Sequence, residues 1–249
     1  MSALVASELL KVRTTRGWYS YLFVIVVFGG LAAAADIGST EESRRSTLDY
    51  QLGLVEAAGI AGLLGLILGI TVVTTEFRHG TITPTFLAAP VRERVLAAKA
   101  AAASLVAVLF FLLALAVIGA VALVWFSVVG ADLQAGSGEL WERIGRTLLG
   151  AVLWALMGIA VGALVHAQVA ALVGTLIWIF VGEPLLGALV GLVDLDGVVP
   201  YLPFQVLDAA DGTGGESLLS YGPGLAMACA WIAAIGGAGL LRTSRRDIS

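Results

Sequence analysis

Few side chains in this chain could carry out chemistry. Among its 249 residues there are two histidines and one cysteine. The sequence contains no Gly-Lys pair and therefore no phosphate-binding P-loop, and it has no C-x-x-C, H-E-x-x-H or G-x-S-x-G pattern. Thiol, metalloprotease and serine-hydrolase chemistry are therefore disfavoured. We expect a non-catalytic chain with no metal site and no cofactor of its own.

Two acidic residues stand out because they lie in long apolar stretches. Glu56 lies in the stretch 52–75, and Glu183 precedes Pro184 in the stretch 169–193. Ionisable residues at membrane depth are functional candidates. Both acids lie near the outer ends of their stretches, so two interpretations stay open. They reach the water outside, or together with Pro184 they line a pathway or its outer gate.

The composition of the chain indicates the class of protein, and therefore the kind of secondary structure, in which these residues lie. Hydrophobic residues make up 59% of the chain and charged residues 13%, and the mean hydropathy is +0.97. A typical soluble domain has about 25% charged residues. These values exclude a soluble enzyme and a disordered chain, and the basic residues are too few and too scattered for a nucleic-acid surface. They indicate an all-α, polytopic membrane protein in contact with membrane lipids.

Six apolar stretches are long enough to cross a bilayer, which takes roughly 20 residues in a helix. Their continuity excludes the alternating pattern of a membrane β-barrel. We expect one transmembrane domain over residues 1–249, and we expect the fifth span to be broken at 183–184, because proline interrupts a helix. The six predicted spans are 18–35, 52–75, 100–129, 148–165, 169–193 and 225–241.

The basic residues predict the orientation. With six spans, ten of the 14 lysines and arginines fall on the side that holds both termini. The positive-inside rule therefore predicts cytoplasmic termini. Residues 2–16 are expected to form an amphipathic helix that lies on the cytoplasmic leaflet with its basic side chains towards anionic lipid, the alternative being a polar lead-in to the first span.

The connection between the second and third spans is long and contains glycine and proline at positions that can end or begin a helix. It runs from Glu76 to Lys99 as EFRHGTITPTFLAAPVRERVLAAK. Gly80 can end the second span, and Pro84 can begin a short helix that stops before Pro90. Most connections in helical bundles have 2 to 8 residues. Because this connection is longer and contains a predicted short helix, we expect it to dock onto a partner. The alternative is that its charged residues only anchor the chain at the membrane interface.

This connection resembles that of the ABC-2 type permeases, the membrane subunits of ATP-binding cassette exporters. The similarity lies in residues 76–82 (EFRHGTI) and in Thr85, Pro90, Arg92 and Lys99. The six-span layout, the basic N-terminal helix and the large outer segment between spans five and six are also similar.

The resemblance implies a coupling helix in this connection that docks onto a separate ATPase. That partner would bind ATP and Mg and hydrolyse the ATP. A second permease subunit, identical or related, would complete the pathway, and re-entrant helices would lie between the fifth and sixth spans. The implied coupling residues are Glu76, Arg78, His79, Thr81, Thr85, Phe86, Leu87 and Arg92.

The function that follows is export of an amphipathic or lipophilic substrate across a bacterial plasma membrane. The alternative is a transporter or channel that works without an ATPase. Such proteins usually need a charge pair or a proton relay at mid-membrane. The middle of every predicted span lacks charge, which argues against that alternative.

Overall fold

The computed structural model describes residues 1–15, 17–81, 91–193, 195–212 and 219–244. Six helices are long and apolar enough to cross a membrane, and the described residues contain no β-strand. The predicted all-α membrane fold is thereby confirmed. Numbered along the chain, the spans are Trp18–Ser39, Leu48–Arg78, Arg92–Val129, Gly138–Val165, Gln168–Gly191 and Tyr221–Thr243.

Shorter helical segments flank or connect the spans. They are Ser2–Thr14, Glu42–Arg45, the 3-10 helix Asp196–Tyr201, and Gln205–Asp211. Within span 2, a turn at Ala58 and Gly59 separates Leu48–Ala57 from Ile60–Arg78. We call the end of the bundle with the N-terminal helix and the turn between spans 4 and 5 the basal end, and the opposite end the distal end.

Most spans extend well past the apolar stretches that predicted them. Span 3, for example, begins at Arg92 rather than near residue 100, and span 4 begins at Gly138 rather than near 148. Backbone hydrogen bonds continue a helix wherever the residues permit it, whereas hydropathy marks only the part that tolerates lipid. The added turns carry Glu76, Lys99 and Arg143, which belong to the two clusters described below.

Close packing of spans 2 and 4 forms the centre of the bundle. These two spans make the most extensive contact in the fold, and both bury more of their surface than spans 1, 5 and 6. A Cβ on Gly158 would overlap the carbonyl oxygen of Leu66, and one on Gly69 would overlap that of Ala155. Small residues let membrane helices approach this closely and gain dispersion energy.

Span 5 does not break at Glu183-Pro184 as expected. The backbone stays helical through this point, and a π-helix over Trp178–Gly182 precedes the α-helix Glu183–Gly191. Proline clashes with the carbonyl of the preceding turn in a regular α-helix, and a wider π turn is one way to accommodate it. A second π-helix, Val24–Gly29, lies in span 1.

The N-terminal helix Ser2–Thr14 confirms the helix predicted from the sequence, but the amino group of Lys11 forms ion pairs with Glu8 and Glu76 instead of standing free for lipid head groups. Its apolar residues Leu9 and Val12 pack against the core, and the carboxylate of Glu8 is buried rather than exposed. The basal cluster described below accounts for this difference.

The Gly158 contact gives a prediction. Gly158→Ala should lower the thermal unfolding midpoint of the detergent-purified protein, because the nearest atoms belong to the Leu66 backbone and cannot move as a side chain can. Overpacking of this kind costs about 1–3 kcal/mol. The measurement is fluorescence-detected melting.

Gly145→Ala is the matched control on the same helix, since nothing lies within 4 Å of a Cβ there. It should leave the midpoint unchanged or raise it, because alanine favours a helix more than glycine does. Equal midpoints for Gly158→Ala and the unaltered protein would refute the proposed close approach.

Candidate functional site

Four charged side chains meet at the basal end, and we call them the basal cluster: Glu8, Lys11, Glu76 and Lys99. Lys11 Nζ donates to Glu8 Oε1 at 2.6 Å and to Glu76 Oε1 at 2.7 Å. Lys99 Nζ lies 2.8 Å from Glu8 Oε2 and 2.7 Å from Glu76 Oε1. The cluster therefore joins the N-terminal helix, span 2 and span 3 through alternating charges.

The cluster is largely shielded from solvent. Lys99 is 2% exposed and Glu76 is 6% exposed, whereas Lys11 lies at the edge. Lys99 Nζ also approaches the carbonyl oxygen of Val72 at 3.5 Å. Buried charges are tolerated when they are paired, and here two acids pair with two bases.

Lys11 lies outside the spans, and the residues that contact it change the pKa of its ammonium group. Burial alone would lower the pKa of its ammonium group. The hydrogen bonds and charges of Glu76 and Glu8 outweigh burial, and together they raise the pKa above its ordinary value. The ammonium therefore remains charged throughout the physiological pH range, and the cluster is electrically balanced.

One acceptor in the cluster is unsatisfied. Lys11 donates to Oε1 of Glu76 and Lys99 forms an ion pair with the same oxygen, whereas Oε2 of that carboxylate has no hydrogen-bond partner. A buried acceptor without a donor is costly.

The connection between spans 2 and 3 leaves the bundle beside this cluster. Glu76 lies in the last turn of span 2, and Lys99 lies two turns into span 3. Gly80 has a φ of +68°, and its predicted role in ending span 2 is confirmed. The cluster therefore joins the two stems of the connection directly.

The other residues predicted for coupling have separate environments. Arg78 is exposed and donates to Gln168 Oε1 at 3.2 Å, and Arg92 donates to the carbonyl of Thr243. His79 and Thr81 are exposed at the end of span 2. The predicted residues Thr85, Phe86 and Leu87 lie outside the described residues, as do Pro84 and Pro90.

Sequence reasoning missed three of the four cluster members, namely Glu8, Lys11 and Lys99, as partners of Glu76. One signal was available. The chain contains only two lysines. Each lies at the basal end of an apolar segment, and an acidic residue lies nearby, either one helical turn away or on another segment. That pattern indicates paired charges, but it does not say which acid meets which lysine.

Glu56 belongs to a second polar cluster, at the distal end. It forms an ion pair with Arg143 of span 4, which also donates to the carbonyl of Gly212. Trp154 Nε1 donates to Asp211 Oδ2 at 3.3 Å. These contacts attach the helix Gln205–Asp211 to span 4.

Glu183 accepts three hydrogen bonds and is 1% exposed. The donors are Trp178 Nε1 at 3.0 Å and the backbone N–H groups of Phe204 and Gln205 at 3.0 and 3.2 Å. A carboxylate in this position satisfies free N–H groups at the start of the helix Gln205–Asp211. Glu183 thereby joins span 5 to the connection that follows it, and the pathway role of Glu56, Glu183 and Pro184 stays a prediction.

In the connection between spans 5 and 6, burial and the nearby Asp211 and Glu183 carboxylates raise the pKa of Asp208 to about 7. This connection therefore changes its charge near neutral pH.

His166 lies in the turn between spans 4 and 5. It is buried, its φ is +60°, and its ring lies 4.0 Å from the ring of Phe77. Its Nε2 lies 3.1 Å from Thr243 Oγ1, and within the described ranges no group of three or more potential metal-ligating residues is found.

The basal cluster predicts a large effect of removing one charge. Lys99→Met should destabilise the protein by about 3–5 kcal/mol, because it leaves two buried carboxylates with one lysine. Adding Glu8→Gln should restore part of the loss by rebalancing the charges. Melting of the purified proteins measures both.

Arg146→Met provides the control, because Arg146 pairs with the exposed Glu142 one turn away. Such pairs contribute up to about 1 kcal/mol. If Lys99→Met melts like Arg146→Met, the cluster does not hold the basal end together.

Comparison with known proteins identifies the family. The family model described as ABC-2 family transporter protein matches residues 4–182, which include the whole basal cluster. A search of curated proteins returned no match. Proteins of that family are membrane components of transporters, are generally non-catalytic, and associate with an ABC ATPase. Because the match extends over more than half of the chain, this multi-pass membrane protein belongs to the ABC-2 family of transporters.

Proposed function

We propose that this chain is the permease subunit of an ATP-driven exporter and that the connection 76–99 couples it to a separate ATPase. The ATPase would bind and hydrolyse ATP with Mg, and its closure would push the connection. The substrate is amphipathic or lipophilic. The pathway is shared with a second permease subunit, either another copy or a related chain.

The observation that carries this proposal is the basal cluster. Glu76 and Lys99 tie together the two helices that enter and leave the connection, and Glu8 adds the N-terminal helix. A force on the connection would therefore move three helices as one unit. Rigid elements with two packed arrangements are the means by which distant sites are coupled.

The centre of the bundle supports transmission of that movement. Span 2 packs against span 4 without intervening side chains at Gly69 and Gly158. A shift of span 2 at its basal end would thus be passed to span 4, and from there to the distal contacts of Arg143 and Trp154.

The exposed spans support the second subunit and the choice of substrate. Spans 1, 5 and 6 bury the least surface. Large apolar side chains such as Phe28 and Phe180 are exposed on spans 1 and 5. These surfaces suit lipid or another permease subunit, and an apolar pathway between subunits suits an amphipathic substrate better than a charged one.

The proposed setting is the bacterial plasma membrane with both termini in the cytoplasm. The distribution of lysine and arginine over the connections supports this orientation. The basal end then faces the cytoplasm, where an ATPase is available.

Substitutions in the connection test the coupling. Arg78→Glu, or replacement of residues 85–89 by a Gly-Ser stretch of equal length, should lower co-purification with the proposed ATPase subunit. The permease-stimulated ATPase rate should fall by about tenfold or more, equivalent to roughly 1.4 kcal/mol of lost interaction.

Arg146→Glu reverses a charge at the distal end and should leave both readouts unchanged. If the basal changes also leave both intact while transport continues, the ATPase-independent alternative is favoured and coupling through this connection is wrong.

Labelling of single cysteines tests the orientation. In a Cys229→Ser background, Thr81→Cys should react with a membrane-impermeant maleimide only after cells are opened, because residue 81 lies at the basal end. Ser39→Cys, at the distal end of span 1, should react in intact cells. Labelling of Thr81→Cys from outside intact cells would invert the proposed topology.

A further inference from the structure

A cavity of about 450 Å³ opens at the basal end, where spans 2, 4, 5 and 6 meet. Its wall is formed by the last turn of span 2, the turn that joins spans 4 and 5, and the last turn of span 6. This volume falls in the range of small-molecule sites. No member of the basal cluster lines the cavity, so it is separate from the site described above.

Two arginines that line the cavity are held in place by the turn between spans 4 and 5. Arg78 of span 2 donates to Gln168 Oε1 at 3.2 Å. Arg242 of span 6 donates to the carbonyl oxygen of Leu164 at 2.6 Å. The two acceptors lie on either side of the turn, so both guanidinium groups are positioned beside the same short segment.

The wall of the cavity is positively charged. Among the residues that the structure describes, no aspartate or glutamate lines the cavity, and neither Arg78 nor Arg242 belongs to an ion pair. The oxygen atoms that these arginines contact are neutral. In the basal cluster, by contrast, two acids balance two bases. Because a cleft lined by charge of one sign attracts ions of the other sign, this cavity favours an anion.

The geometry of the guanidinium group indicates which anion fits. Each guanidinium has five N–H donors in a planar fork, and each of these arginines uses one donor to hold the turn. The remaining donors suit the oxygens of a phosphate group, which arginine binds through two parallel hydrogen bonds. A phosphate monoester carries about two negative charges near neutral pH, which matches the two positive charges of the wall.

The surroundings of the cavity favour a phosphate that is carried by a lipid. The cavity lies at the ends of the spans, which is the level of the lipid head groups. Apolar side chains are exposed directly beside it: Val169 follows Gln168 and is 71% exposed, and Leu241 precedes Arg242 and is 60% exposed. A lipid with its phosphate in the cavity would therefore place its acyl chains along spans 5 and 6.

We infer that this cavity binds the phosphate monoester head group of an anionic lipid in the basal leaflet, with Arg78 and Arg242 as the donors. The bound phosphate bridges the basal ends of spans 2 and 6. That this leaflet is the cytoplasmic one rests on the proposed orientation, whereas the binding itself does not.

The test is calorimetric titration of the purified permease in dodecyl maltoside at physiological ionic strength. The ligands are dihexanoyl phosphatidic acid, dihexanoyl phosphatidylcholine and glycerol phosphate, and empty micelles provide the baseline. Phosphatidic acid should bind about tenfold or more tightly than phosphatidylcholine, whose choline group cancels the charge of its phosphate. Equal binding of the two lipids would overturn the inference.

Glycerol phosphate distinguishes a lipid from a soluble phosphate ester. It has the head group of phosphatidic acid without the acyl chains, and it should bind about tenfold or more weakly than the lipid, because the apolar contacts are missing. If glycerol phosphate binds as tightly as phosphatidic acid, the lipid is wrong as the source of the phosphate.

Two variants and a matched control locate the site. Arg242→Gln removes one charge but keeps a donor for the Leu164 carbonyl, and it should weaken the binding of phosphatidic acid by about tenfold or more. Arg13→Gln makes the same change at an exposed arginine of the basal end that does not line the cavity, and it should bind like the unaltered protein. Equal losses in both variants would indicate general attraction to a basic surface and would refute the site.

Ala167→Leu adds bulk to the wall without altering its charge and should also weaken the binding of phosphatidic acid. Unchanged affinity in this variant contradicts the proposed location even if Arg242→Gln does not fold.

These titrations contain no ATPase and are therefore independent of the coupling experiment. The other anion that two arginines could hold is an acidic segment of a partner protein. If phosphatidic acid does not bind and Arg242→Gln instead lowers co-purification with the proposed ATPase, the cavity is a protein contact and the inference is wrong. Binding of phosphatidic acid that Arg242→Gln weakens upholds the inference, and a failure of the ATPase to co-purify would then refute the coupling alone.

Discussion

The pairing of four buried charges is the interaction on which the basal end of this protein depends. Each lysine contacts both carboxylates, so the N-terminal helix, span 2 and span 3 are held at one point. A buried carboxylate without a partner would be expelled or protonated. The position of the N-terminal helix is thus set by charge compensation as well as by the packing of Leu9 and Val12. The N-terminal helix is therefore an integral part of the helical bundle.

Close backbone packing continues from this point towards the distal end. Glycines on spans 2 and 4 bring the two helices into direct contact, and the distal ion pair between Glu56 and Arg143 joins them again. Spans 2, 3 and 4 therefore form a central unit, with spans 1, 5 and 6 at its periphery. The two π-helices lie in peripheral spans, where a widened turn disturbs little packing.

The acids near the distal ends of spans 2 and 5 show why site residues are hard to assign from the sequence. Glu56 and Glu183 were singled out because charge is rare in apolar stretches. In the structure, Glu56 pairs with an arginine and Glu183 accepts N–H groups from Phe204 and Gln205. Each acid attaches one segment to another, which is a structural need that produces the same sequence signal as a functional one.

The sequence by itself determined the number of spans, the helical class and the end of span 2 at Gly80, because hydropathy and backbone preference are local properties of residue type. It also set the uneven distribution of basic residues. Only the tertiary structure decided that Glu8 meets Lys99 across 91 positions and that the helix continues through Pro184. Such pairings depend on how each helix is rotated and how closely it packs, and those quantities arise from contacts among all the helices together.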